Sequence, residues 1–378
     1  MRAEQRHWTT KEGWIPPRGN SVNRNAQLVL IFGSVDAVRG SGSLELARAL
    51  YPNAHIAGCT TGGEIQSASV YQDSVVMSAL AFHHTRVEVA SVQIHSRGES
   101  HSAGEDLGKA LPAGGLKHIL LFCDGLRVSA THLLQGMAAV IPSKVTLTGG
   151  CAGDQDRMQC THLWCDSEPQ SGVAFAIGFY GERLGVHIGA TGAWGPFGPE
   201  RLVTKAQDNV LYELDGQPAL KLYKRYLGDH AARLPVSGLL FPLLLHAPGS
   251  SRTVLRALTA FDEQAQSISF FGDIAEGAYA RFMRGTIERM LEDTSAAARS
   301  IQDRLAGRQA EFTLLVSCFG RRHVLRQRIE EELEAVAEVF GESPLAGFYS
   351  LGEFGSRAEG DSPELHNETM IITSFLEE

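Results

Sequence analysis

Three continuous apolar runs set the rhythm of this chain: residues 28–33, 119–123 and 314–318. None alternates with polar positions, the pattern of a strand covered on both faces. Each leads into a helix-like stretch and then a Gly-rich turn. The turns are Ala57-Gly58-Cys59-Thr60-Thr61-Gly62-Gly63-Glu64, Thr148-Gly149-Gly150-Cys151-Ala152-Gly153-Asp154 and Ala346-Gly347-Phe348-Tyr349-Ser350-Leu351-Gly352-Glu353. Leu28 precedes Gly58 by the same interval as Ile119 precedes Gly149, and Leu314 to Gly347 is three residues longer. A further apolar strand pattern follows each turn, at 74–82, 172–180 and 369–375. Such self-similarity predicts a repeated strand–helix–Gly turn–strand unit, used three times, and an α/β fold class.

Helices are expected at 43–51, 100–111, 129–141, 217–227, 286–305 and 327–340 from capping and apolar spacing. Residues 158–165 alternate, which puts Met158, Cys160, His162 and Trp164 on one strand face. Residues 1–25 lack periodicity and read as an N-terminal extension. Gly and Pro crowd residues 189–199, so the reading is two domains, 26–199 and 200–378, joined at a linker.

A turn with several Gly-flanked amides and a closing carboxylate can cradle a polar ligand, because Gly permits positive φ and close backbone approach. Tight turns demanded by packing alone give the same pattern. Cys59, Thr60, Thr61, Gly62, Gly63, Glu64 and Glu353 are the ligand-binding candidates on this reading. Glu64 and Glu353 hold matching positions, and at least one is expected to face an open pocket. Arg321 and Arg322, between a strand and a helix, are candidates for holding an anion.

Composition narrows the field. The 378 residues, 43% hydrophobic and 20% charged, are those of an ordinary globular protein. The formal charge of −9, with no long basic block, argues against nonspecific nucleic-acid binding. Residues 1–20 have no signal-peptide core, and the apolar run 238–245 contains Pro242 and is too short to span a bilayer. Six scattered cysteines suit reduced thiols, so a cytoplasmic location is expected. Cys59 could act as a nucleophile only with a base and an oxyanion site nearby. A cysteine-dependent hydrolase is the weakest of three functional readings, since Phe348 replaces Cys in the third unit.

The first turn, with Gly153-Asp154 of the second, resembles the N-terminal half of FIST (F-box and intracellular signal transduction) proteins. The central segment, Trp194-Gly195-Pro196-Phe197-Gly198-Pro199 through Asn209-Val210-Leu211-Tyr212-Glu213-Leu214-Asp215-Gly216, is similar to theirs. So are Ser317-Cys318-Phe319-Gly320-Arg321, Pro344-Leu345-Ala346-Gly347-Phe348-Tyr349, Gly352-Glu353 and His366-Asn367-Glu368-Thr369 in the C-terminal half. The resemblance implies a non-catalytic sensory module for a small-molecule or gaseous ligand, an amino acid being one suggestion. It adds His366 and Asn367 to the ligand-site candidates.

A stand-alone subgroup of the family (NosP) binds heme, senses nitric oxide and acts on a histidine kinase or a cyclic-dinucleotide enzyme. The leading expectation is therefore a heme sensor with a separate partner of that kind. A heme-free small-molecule sensor is the alternative. Neither nucleic acid nor membrane is an expected partner, and a homo-oligomer is compatible with the sequence. Heme needs an axial ligand in an apolar pocket. His162, beside Trp164, and His187, near the Trp194 and Phe197 loop, are the candidate ligands.

Overall fold

The computed structural model describes residues 1–17, 24–192, 194–250, 252–356 and 362–378. The first unit begins with β1 (Arg2–Thr9), β2 (Gly13–Ile15) and β3 (Leu28–Gly33), followed by α1 (Val35–Ser41) and α2 (Ser43–Leu50). It ends with β4 (His55–Cys59), β5 (Glu64–Gln66), β6 (Ser69–Tyr71) and β7 (Ser74–Ala81). The second runs through β8 (Arg86–Gln93), α3 (Ser100–Ala110), β9 (Leu116–Cys123) and α4 (Ala130–Ala138), then β10 (Thr146–Cys151), β11 (Leu163–Cys165) and β12 (Val173–Tyr180).

The third unit starts with β13 (Leu184–Thr191) and is at once interrupted. The inserted segment carries β14 (Trp194–Gln207), β15 (Val210–Leu214), β16 (Gln217–Pro218) and α5 (Ala219–Leu227). It continues through β17 (Leu243–His246), β18 (Thr253–Arg256), β19 (Leu258–Asp262), β20 (Ser267–Phe270) and β21 (Tyr279–Gly285). The unit resumes with α6 (Ile287–Arg304), β22 (Phe312–Cys318), α7 (Phe319–Leu325) and α8 (Ile329–Phe340). It closes with β23 (Leu345–Ser350), β24 (Glu353–Gly355), β25 (Glu364–His366) and β26 (Met370–Glu377).

The repeat expected from the apolar runs is present. Three six-stranded sheets share one plan, a parallel pair (β3–β4, β9–β10, β22–β23) flanked by an antiparallel strand (β7, β12, β26) and then by β1, β8 or β13. The outer edge of each sheet is borrowed. The β5–β6 hairpin of the first unit pairs with β23 of the third, β24 of the third pairs with β10 of the second, and β11 of the second pairs with β4 of the first. The units thus form a closed three-membered exchange.

Inner sheet faces meet in one core, where Phe32, Phe122 and Phe348 pack with ring centroids 4.7–6.2 Å apart. Outer faces are covered by α1 and α2, by α3 and α4, and by α6 and α8. Burial on both faces is why the strand sequences are continuously apolar.

In each parallel pair one glycine faces the neighbouring strand: Gly58 opposite Ile31, Gly149 opposite Leu121 and Gly347 opposite Leu315. A Cβ at these positions would lie 1.8–1.9 Å from the carbonyl oxygen of Ile31, Leu121 or Leu315. These glycines are therefore fixed by strand approach. Cys59 aligns with Gly150 and Phe348, one residue earlier than its apparent match with Cys151. Gly347→Ala should destabilise the fold by about 1–3 kcal/mol through overpacking, measurable as a shifted urea midpoint.

Two boundaries differ from expectation. Residues 2–9, read as part of an extension, form β1, which pairs along its whole length with β7. Its sequence is polar at almost every position, so no alternation betrays the strand. Residues 194–207, read as linker and domain start, are one strand whose pairing to β21 shifts register between Pro196 and Glu200. The shift accommodates prolines that a regular ladder would exclude. The division expected at 199/200 falls inside this strand, and the antiparallel sheet of 194–285 has its own core with α5.

Candidate functional site

The three Gly-rich turns come together, and they bond to one another. Gly62 N–H donates to Tyr349 O (2.6 Å) and Tyr349 N–H to Gly63 O (2.9 Å). Gly153 N–H donates to Thr60 O (2.8 Å), Gln155 N–H to Thr61 O (3.1 Å) and Cys151 N–H to Gly352 O (2.8 Å). Thr60 N–H donates to His162 O, and Gly63 N–H to Thr61 Oγ1. The amides of Thr60, Gly62 and Gly63, expected to cradle a ligand, are instead satisfied by His162 O, Tyr349 O and Thr61 Oγ1, so this turn is built into the structure rather than open as a cradle.

Each carboxylate is locked beneath its turn. Glu64 accepts from Thr61 Oγ1 (2.5 Å) and Ser74 Oγ (2.7 Å). Glu353 accepts from Ser350 Oγ (2.6 Å) and Thr369 Oγ1 (2.8 Å). Both are fully buried, and burial raises their pKa to about 7 and about 8 despite these hydroxyl donors. Neither faces an open pocket, contrary to expectation. Asp154 differs, accepting from the backbone of Gln159 and Cys160 and from Arg157.

Arg321 is also internal. Its Nε donates to Glu332 Oε1 (2.8 Å), its Nη2 reaches Glu332 and Thr294 Oγ1, and its exposure is zero. It joins α7 to α8 and α6 instead of holding a ligand. Cys59 is fully buried, and burial pushes its thiol well above the ordinary value, the reverse of what nucleophilic activation requires.

The histidines assigned to heme lie apart. Residues 154–160 are mostly irregular, with positive φ at Gln155 and Met158, and β11 spans only three residues. Trp164 is buried among the residues covering the first sheet, whereas Met158 lines a cavity against the inserted sheet. The common apolar slot does not form. His162 is half-buried, with its ring 3.7–3.9 Å from Cys160 Sγ. His187 stands on β13 opposite Ser374. Neither histidine lines any of four cavities of about 210–470 Å3 among the described residues.

His366 and Asn367 do face a cavity. It measures about 310 Å3 and lies between the end of β13, Trp194, β18 and the 366–369 segment, at the seam of the triplicated body and the inserted sheet. His366 Nε2 is 2.9 Å from Gly355 O, and Asn367 bridges Ala257 N–H and His366 O. Trp194 Nε1–H donates to Glu368 O (2.8 Å). Thr191 lines the same cavity, and its hydroxyl is buried without a partner among the described residues. Behind the wall, Glu368 holds φ at 59°, and both its carboxyl oxygens are buried without a hydrogen-bond partner among the described residues. An orphaned polar group and a strained non-Gly backbone are what binding sites concentrate. Thr191 sits at the end of a half-buried strand, so no sequence signal marks it.

Residues 27–217 match the FIST N domain and residues 219–356 the FIST C domain. This chain belongs to the FIST family. FIST domains are associated with sensing in signal transduction. This FIST protein is 26% identical over 269 residues to an uncharacterized protein of Mycobacterium bovis, covering 68% of this chain and 67% of the relative. An uncharacterized protein of Mycobacterium tuberculosis is 25% identical over 274 residues, 68% of each chain. Among solved structures, a cyanuric acid hydrolase from A. caulinodans aligns over 76% of this chain and 98% of its own, at 12% identity. The TM-score of that alignment is 0.19. Among the described residues no helix is long and apolar enough to cross a membrane.

Proposed function

We propose that this FIST protein is a non-catalytic sensor for a small polar molecule of the size and hydrogen-bonding character of an amino acid. The ligand occupies the cavity lined by Thr191, Trp194, His366 and Asn367. The observation that carries this reading is the orphaned Thr191 hydroxyl in a concavity at the lower end of the roughly 300–1,000 Å3 range of ligand pockets. Because the cavity lies between the body and the inserted sheet, occupancy favours conformations in which the two hold the ligand together. The readout is a separate signalling enzyme, a histidine kinase or cyclic-dinucleotide enzyme, as the family resemblance implies. A heme-dependent version requires His162 or His187 to reach a porphyrin, and neither lines this cavity.

Thermal-shift titration with the free L-amino acids tests this. At least one should stabilise the protein, and Thr191→Val should weaken it by roughly threefold to tenfold, the worth of one hydrogen bond. The melting temperature of the unliganded variant should not fall. A hemin titration run in parallel separates the alternative. A Soret band that shifts in His162→Ala or His187→Ala, with no amino acid effective, would transfer the sensing role to heme.

A further inference from the structure

A second concavity, of about 380 Å3, opens where residues 228–240 approach α7 and the 154–157 loop. Its wall carries Arg233, Arg322 and Arg326 together with His323, and its one acid is Asp156. Asp156 is engaged by His323 Nε2 at 3.2 Å. Among the described residues none of the three guanidiniums has a carboxylate partner. Arg322 Nη1 donates to Gly62 O, and Arg233 Nη2 lies 3.2 Å from His230 Nδ1.

We infer that this concavity is a binding site for a small phosphate-bearing organic anion carrying two or more negative charges. Three guanidiniums on one concave wall give a chain of net charge −9 a local positive site that attracts an anion. The planar fork of arginine matches the oxygen geometry of phosphate, which it can hold by paired charge-assisted bonds. With only Asp156 to offset them, a single negative charge leaves the site cationic and two balance it. The basic field also registers at His323, whose pKa lies below the ordinary value through burial and the neighbouring Arg322 and Arg326, against the pull of Asp156.

Two further observations favour a built site over a solvated basic corner. Arg326 adopts φ of 52° at the end of α7, a position glycine fills without strain. Val236, more than half exposed, and Leu240 stand on the same wall and offer apolar surface to the body of the ligand. The site also reaches the ring of turns. An anion that draws Arg322 away from Gly62 O acts on the first turn directly.

Isothermal titration with inorganic pyrophosphate, at about 0.15 M salt to screen long-range attraction, tests the proposal. One equivalent should bind. Arg233→Ala and Arg326→Ala, both on exposed side chains, should each weaken binding by about tenfold, and Arg326→Glu should abolish it. Unchanged melting temperatures of the variants separate lost binding from lost structure. Citrate distinguishes the class of anion. Tighter binding of citrate than of pyrophosphate overturns the phosphate assignment. The site itself is overturned if pyrophosphate does not bind the parent protein, or binds the variants equally well. Thr191→Val leaves this titration unaltered, so failure here and failure of the amino-acid reading are separable.

Discussion

Arg321→Met should destabilise this protein by about 3–5 kcal/mol, the cost of leaving one member of a buried ion pair alone. Glu332 would keep Thr294 Oγ1 (3.4 Å) and Ser317 Oγ (3.3 Å) as donors but would lose its cation in a region with no solvent access. The double replacement Arg321→Met with Glu332→Leu should recover most of that loss, since a packed apolar pair pays no charge desolvation. Urea unfolding of both singles and the double gives the coupling energy. A double variant as unstable as the Arg321 single would show that the pair does more than cancel its own charges. It would place its role in joining α6, α7 and α8 through Thr294, Arg321 and Glu332.

Stability should also fall steeply as pH rises from about 5 toward 8. Glu64 and Glu353 have folded pKa values of about 7 and about 8, above the ordinary 4.5. The native state therefore binds more protons than the unfolded chain, and the stabilisation is complete below about pH 4.5 and lost as pH rises through 7 and 8. His118 opposes this below pH 6.5. Burial holds it near 3, so the unfolded state takes up its proton first as pH falls. Glu377, depressed to about 2 by Thr85 and the His83 and His84 amides despite burial, likewise loses its contribution at acid pH. The balance sets a maximum near pH 5 and a loss of about 5 kcal/mol by pH 8, at 1.36 kcal/mol per proton per pH unit. Denaturant midpoints at pH 5, 6.5 and 8 measure it. Glu64→Gln with Glu353→Gln should flatten the descent, and an unchanged slope would assign it to other groups.

Much of the architecture was legible because double burial leaves a plain mark. The apolar runs of β3, β9 and β22 and the recurring glycines announced three units in the right places. The edges were not legible. β1 is a polar strand between two neighbours, and β5, β11 and β24 are three-residue strands that pair outside their own unit. Local pattern carries no label for the distant strand it will meet.

The site misled for a related reason. Glycine amides read identically whether they face a ligand or another turn, so the ring absorbed Gly62 and Gly63 unannounced. Arg321 and Glu332 belong to separate helices, and nothing in their spacing reveals that they meet in the interior. His366 and Asn367 are ligand-site candidates only through the family resemblance, whereas Thr191 and Arg326 take on meaning only in their surroundings.

The borrowed edges also bear on how the chain emerges from the ribosome. The β5–β6 hairpin is made well before its partner β23, which follows only after the second unit and the inserted sheet. β10 likewise waits for β24, although the strands of the first sheet are all made by Cys165. Nascent chains of this kind present unsatisfied strand edges while translation continues, the condition in which neighbouring chains on one message aggregate or swap strands. Brief shielding of that early hairpin, by a chaperone or by its own loops, is thus a demand written into the exchange that stabilises the finished molecule.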